Sequence, residues 1–130
     1  MTLLRTSFCC VLALAAQSAA AKDPDCVVDR FQGAASPGGA DVRMRLVNLG
    51  KPCAVANHGV ASERSHPAES GAITKSPAHG TAVFAAPDAV YMPAKGFVGN
   101  DEFAYEAFAK GKTDQRVRLR VRVRVEVVAP

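Results

Sequence analysis

The stretch Gln115 to Val128, QRVRLRVRVRVEVV, alternates without a break. Arg116, Arg118, Arg120, Arg122, Arg124 and Glu126 fall on one side, and Val117, Leu119, Val121, Val123, Val125 and Val127 on the other. A period of two is that of a β-strand with one face against a core and the other in water. At ~3.3 Å per residue such a strand would run about 45 Å, longer than most, which predicts a bend or a bulge along it. Just before it, Asp101 to Ala109 sets Phe103, Tyr105, Ala107 and Ala109 on one face, and Glu102 and Glu106 on the other with Lys110; Phe108 breaks the pattern. Pairing the two strands with both apolar faces inward requires opposed residue numbers to sum to an even value, hence an odd-length loop such as Lys110-Gly111-Lys112. Glu102 and Glu106 then lie across from arginines.

Working towards the N-terminus, Gly and Pro punctuate further short runs, and no segment holds a helical period for long. Thr81 to Ala85 and Ala89 to Met92 read as strands, with Pro77-Ala78-His79-Gly80 as a turn and a short strand near Ala72 to Lys75 before it. Cys53 to Glu69 shows no period and reads as loop with one edge strand. Val42, Met44 and Leu46 alternate with Arg43, Arg45 and Val47, the mark of a half-buried strand, and Cys26-Val27-Val28 starts a short first strand. With 48% hydrophobic and 22% charged residues in a chain of 130, the composition is that of one folded domain and excludes a disordered chain.

The first 21 residues read as a secretory signal: Arg5, a short apolar run from Phe8 to Ala16, then Ala19-Ala20-Ala21 before the cleavage point. The run is too short to span a bilayer, so the exported protein is not expected to cross one. Cleavage leaves 109 residues with 15 basic and 12 acidic side chains, a charge of +3. Cys9 and Cys10 leave with the signal. Cys26 and Cys53 remain, in a compartment that permits oxidation, and one disulfide between them is the simplest expectation. Two buried free thiols or a bridge between chains are the alternatives. Residues 22–40 read as an N-terminal segment carrying the short first strand, and 41–130 as the main domain.

Pro77-Ala78-His79-Gly80-Thr81, followed by Val90-Tyr91-Met92-Pro93-Ala94-Lys95-Gly96-Phe97-Val98-Gly99-Asn100-Asp101-Glu102-Phe103-Ala104-Tyr105, resembles the bacterial immunoglobulin-like, cadherin-like domains. Those domains carry a P-x-H-G-T turn, a strand ending Y-x-P, a G-F-x-G-x-D turn and an F-x-Y strand. The resemblance covers about residues 71 to 127. Asn100 and Glu102 stand where that family often shows Thr or Ser, which leaves the turn chemistry intact. It implies an all-β fold, an immunoglobulin-like antiparallel β-sandwich of about seven strands, and a turn role for His79. Independently of it, Gly96 and Gly99 suit a tight connection and Asp101 can accept hydrogen bonds from loop amides. Tyr91, Phe97, Phe103 and Tyr105 are expected to be largely buried.

Chemistry-bearing patterns are sparse. His58, His66 and His79 match no compact metal-ligand spacing with Cys53. Asp88, Asp101 and Glu102 could form a cadherin-type calcium site only between successive domains. Ser65 and Ser70 lie near His66 and Glu69 without an oxyanion loop or a strained elbow. Neither a catalytic residue, a metal nor a cofactor is therefore expected. The five arginines Arg116, Arg118, Arg120, Arg122 and Arg124 read first as a solvated sheet face and second as a cationic stripe for phosphate, sulfate or carboxylate groups. With the aromatics committed to the core, specific nucleic-acid recognition is not expected. The sequence thus points to a periplasmic or secreted accessory domain that binds an envelope or extracellular protein or serves as a structural module there. The alternative is a module for anionic polysaccharide or lipid headgroups working through the arginines.

Overall fold

The computed structural model describes residues 24–56 and 66–130, so the expected signal segment 1–21, His58 and Ser65 lie outside the described residues. Among the described residues there are eight strands and no helix: β1 (Cys26–Val28), β2 (Ala40–Val47), β3 (Cys53–Ala56), β4 (Ser70–Lys75), β5 (Gly80–Ala85), β6 (Asp88–Pro93), β7 (Gly99–Lys110) and β8 (Arg116–Val128). They form a five-stranded sheet, in the order β1-β2-β8-β7-β4, and a three-stranded sheet, β3-β6-β5, packed together around one core. The edge strand expected within Cys53 to Glu69 is β3, and with it the strands number eight against the expected seven or so.

The long hairpin of β7 and β8 sets the geometry. Its register runs from Gly99 opposite Val127 to Lys110 opposite Arg116, so opposed numbers sum to an even value and the loop 111–115 is odd in length. Phe103, Tyr105 and Ala107 thereby share the buried face with Leu119, Val121 and Val123. The expected bulge in β8 is absent from this ladder. The irregularity falls instead in β4, between Ile73 and Lys75. Different neighbours along its second edge accommodate the length of β8. Its second half pairs with β2, while its first half meets the 34–38 loop, where the Arg120 N–H donates to the Ala34 carbonyl at 2.9 Å. Gly39 makes that approach possible, because its φ is +69° and a side chain there would strike the Arg120 carbonyl.

Pairing is not antiparallel throughout. β2 and β8 run parallel, with Val42, Met44 and Leu46 in register with Val123, Val125 and Val127. A parallel pair needs a long crossover, and the whole chain from β3 to β7 supplies it. The disulfide Cys26–Cys53 exists, with Cα atoms 5.5 Å apart, and joins edge strand β1 of one sheet to edge strand β3 of the other. Ala34 and Ala40 are buried in the same core as Leu119 and Tyr105, so the described part of residues 22–40 is built into the sandwich. Tyr91, Phe103 and Tyr105 are buried as expected, whereas Phe97 is only half-buried. It lies in the connection before β7, stacked on His79 at 4.4 Å rather than inserted between the sheets.

Candidate functional site

The two halves of the family-like motif meet at one carboxylate. Asp101, at the start of β7 and 9% exposed, accepts four hydrogen bonds. Its Oδ1 takes the N–H groups of Ala78 and Glu102, each at 2.9 Å, and its Oδ2 takes the His79 N–H at 3.0 Å and the Tyr91 hydroxyl at 2.8 Å. Burial pushes the Asp101 carboxyl up, but the Tyr91 hydroxyl and the three amides together outweigh it and hold the group below its ordinary value. Tyr91 is correspondingly raised, by burial first and by the adjacent carboxylate second. Gly80 closes the turn because a side chain there would run into the Met92 carbonyl. Tyr91, Asp101 and the Ala78 and His79 amides are thus engaged within the fold, and His79 and Asp101 hold a turn to a strand.

The same engagement accounts for the calcium alternative. All four donors point at Asp101, and Asp88 lies at the far end of β6, opposite Ala85 and Ala56. Glu102 is ion-paired with Lys75 at 3.2 Å. Among the described residues, no three His, Cys, Asp or Glu side chains converge as metal ligands do, and no helix is long and apolar enough to cross a membrane. Ser70 heads β4 opposite Phe108, and Glu69 sits 3.7 Å from Lys110.

The arginines share the exposed face of the larger sheet, as the alternation requires, but do not form a uniform stripe. Arg122 is bidentate on Asp41, with Nε–Oδ1 at 2.8 Å and Nη2–Oδ2 at 3.2 Å, and its Nη1 donates to the Gly38 carbonyl at 2.9 Å. That guanidinium holds the Asp41 carboxyl below its usual range. Arg120 pairs with Glu106 at 3.4 Å and reaches the Pro37 carbonyl. Arg116 and Arg118 lie over the Phe108 ring, at 3.8 and 5.7 Å from its centroid, which explains why Phe108 breaks the polar pattern of β7. Arg124 stands opposite Arg43 in the parallel ladder and opposite Glu102 in the hairpin. It borders a shallow groove of about 620 Å³ in which Arg43 and Arg45 are matched by Asp29, Glu102 and Glu126.

The outer face of the three-stranded sheet is of a different kind. Ala54 and Ala56 of β3, Val90 and Met92 of β6, and Thr81, Val83 and Ala85 of β5 point away from the core. Among the described residues Asp88, beside the hairpin turn, carries the only charge on it. Val83 is 58% exposed. Alternation along the chain locates these strands but does not single out this face. Its signal was present, since TAVFA and AVYM are uncharged at both parities, the pattern of a strand covered on both sides.

No family model, no curated protein and no solved structure matches this chain.

Proposed function

We propose that this chain is an exported immunoglobulin-like β-sandwich domain that works by binding another protein through the outer face of its smaller sheet. The observation that carries the reading is the contrast between the two outer faces. The larger sheet presents arginines, lysines and carboxylates to water, while the smaller one presents Ala54, Val83, Val90 and Met92 beside a single charge among the described residues. Contiguous apolar surface on a soluble domain marks an interaction site. Strand order supports the immunoglobulin-like part. β3-β6-β5 and β8-β7-β4 correspond to the B-E-D and G-F-C groupings of constant-type domains, while β2 lies beside β8 in the larger sheet rather than beside β3, where the first strand of those domains sits, and β1 is additional. The disulfide supports export to the periplasm or beyond, since such bonds persist in oxidising compartments.

One observation favours a second reading, an anion-binding module for polysaccharide or lipid headgroups. Arg116 and Arg118 rest on Phe108 and make no ion pair with a carboxylate among the described residues. Planar guanidinium groups so placed keep their edge N–H donors for a phosphate or sulfate. A photo-crosslinking side chain placed at Met92, and separately at Arg43, in the cell-expressed protein tests the leading reading. It predicts protein adducts from position 92 and none from position 43. Adducts from position 43 alone, or from neither, would overturn it.

A further inference from the structure

We infer that the loops 48–52 and 94–98, side by side at one end of the sandwich, form a docking tip for an anionic lipid surface. Leu49 and Val98 enter the headgroup region, and Lys51 and Lys95 meet its phosphates. The inference goes beyond the protein-binding reading, and it leaves the outer face of the smaller sheet free for a partner.

The first loop, Asn48-Leu49-Gly50-Lys51-Pro52, joins β2 to β3, and the second, Ala94-Lys95-Gly96-Phe97-Val98, joins β6 to β7. One side chain ties them together. The Asn48 amide donates to the Ala94 carbonyl at 3.0 Å and to the Phe97 carbonyl at 2.9 Å, while the Phe97 N–H closes the second turn on Ala94 at 3.1 Å. The residue after each end of this tie is apolar and open to water: Leu49 is 44% exposed and Val98 55%. Both lysines are exposed as well. A Cβ built at Gly50 or Gly96 would meet nothing within 4 Å, so each turn stands clear of the rest of the molecule.

Charge on the tip is of one sign. Neither loop contains Asp or Glu, and neither Lys51 nor Lys95 makes an ion pair among the described residues, whereas Lys75, Lys110, Arg120 and Arg122 on the larger sheet each hold a carboxylate. Phe97 could have covered Val98 but turns away to stack on His79. Ala56 and Ser70, the strand residues nearest to the stretch 57–65, stand opposite Asp88 and Phe108, at the far end of their strands.

This chemistry selects a bilayer over a protein. A standard protein interface covers ~800 Å² per partner and is depleted in lysine, and two short turns supply neither that area nor that composition. A bilayer asks for no matching surface. Aliphatic side chains enter its interface while lysine stems extend to the phosphates, and each lysine beside an anionic surface brings about a fivefold gain in partition. Two aliphatic groups and two lysines give a reversible contact, far short of an insertion.

The chain has no tryptophan, so Val98→Trp supplies a sole fluorescent reporter in the secreted protein. The probes are vesicles of phosphatidylglycerol and phosphatidylcholine in equal parts, and of phosphatidylcholine alone. The expected result is a blue shift with the anionic vesicles that added salt reverses, and none from Val83→Trp on the smaller sheet. Vesicle co-sedimentation should fall about tenfold or more for Leu49→Ser with Val98→Ser, and as much for Lys51→Gln with Lys95→Gln, with thermal melts showing both variants folded. Arg116→Gln with Arg118→Gln removes the same charge from the other end of the sandwich and should keep binding within about twofold. Absence of binding to the anionic vesicles, equal losses from the two charge pairs, or indifference to the Leu49 and Val98 changes would overturn the inference. So would protein adducts from a photo-crosslinking side chain at position 98 in a protein that ignores vesicles, which would make the tip a protein contact.

Discussion

Replacing Asp101 with Asn removes a charge while keeping the shape of the side chain, and so isolates what the carboxylate does. An Asn oxygen can replace only one carboxylate oxygen, and the amide nitrogen must occupy the place of the other. The better orientation puts the nitrogen at the Oδ2 position, because the Tyr91 hydroxyl can rotate to accept from it. Oδ1 then keeps its bonds from Ala78 and Glu102, but the His79 N–H, formerly bonded at 3.0 Å, faces a donor. One unsatisfied buried N–H costs about 1–3 kcal/mol, and the two remaining bonds weaken from charge-assisted to neutral, so the total is about 2–4 kcal/mol. Urea unfolding followed by far-UV circular dichroism measures it. The pH dependence gives a second signature. Asp101 in the folded protein titrates below its ordinary 3.8, so as pH falls the unfolded chain takes up the proton first. Its stabilising contribution is fully present above about pH 5 and fades as the pH drops through the folded-state value. The gap between wild type and Asp101→Asn should therefore narrow from pH 7 to pH 2.5. A cost under ~1 kcal/mol at pH 7, or a gap that does not change with pH, would refute the assignment of Asp101 as a charged clasp.

Three further outcomes follow from the same geometry. Among the described residues the buried Tyr105 hydroxyl has no hydrogen-bond partner, whereas the Tyr91 hydroxyl donates to Asp101 at 2.8 Å; urea titrations should show Tyr105→Phe neutral or stabilising and Tyr91→Phe costing about 1.5–3 kcal/mol. The Cys26→Ser, Cys53→Ser double variant should lose roughly 3–4 kcal/mol, the chain-entropy value for a loop with a sequence separation of 27, checked by the same titration. Arg118→Gln with Arg120→Gln should leave heparin retention equal to that of Lys51→Gln with Lys75→Gln, whereas a clearly larger loss in the arginine pair would favour the anion-binding reading.

The sequence carries the strands better than it carries their neighbours. Alternation in β8 and β7, with the requirement that both apolar faces turn inward, was enough to give the parity of their register. A period of two says nothing about which distant strand lies alongside, so the parallel pairing of β2 with β8 was not legible. Nor was the division of the arginines. Arg120 and Arg122 find Pro37, Gly38 and Asp41 some eighty residues away, and only the fold brings these groups together. β3 escaped definition because Ala54 and Ala56 are too small to contrast with the inward Cys53 and Val55. Phe97 read as core from its type alone, and the stacking on His79 that holds it at the rim has no signature in spacing. The apolar face of the smaller sheet lay in plain sight in TAVFA and AVYM, but its meaning depended on knowing that one side of each strand is open.

Met92 carries the most direct test of that open side, since it lies on the outer face of β6 while Met44 is buried at 1% exposure. Brief peroxide treatment, followed by mass spectrometry, compares the oxidation of both residues in dilute purified protein and in intact expressing cells. If the smaller sheet binds protein, Met92 oxidises readily in dilute solution and several-fold more slowly in cells relative to the buried Met44. Equal relative rates in the two settings would mean that nothing covers this face, and would contradict the account.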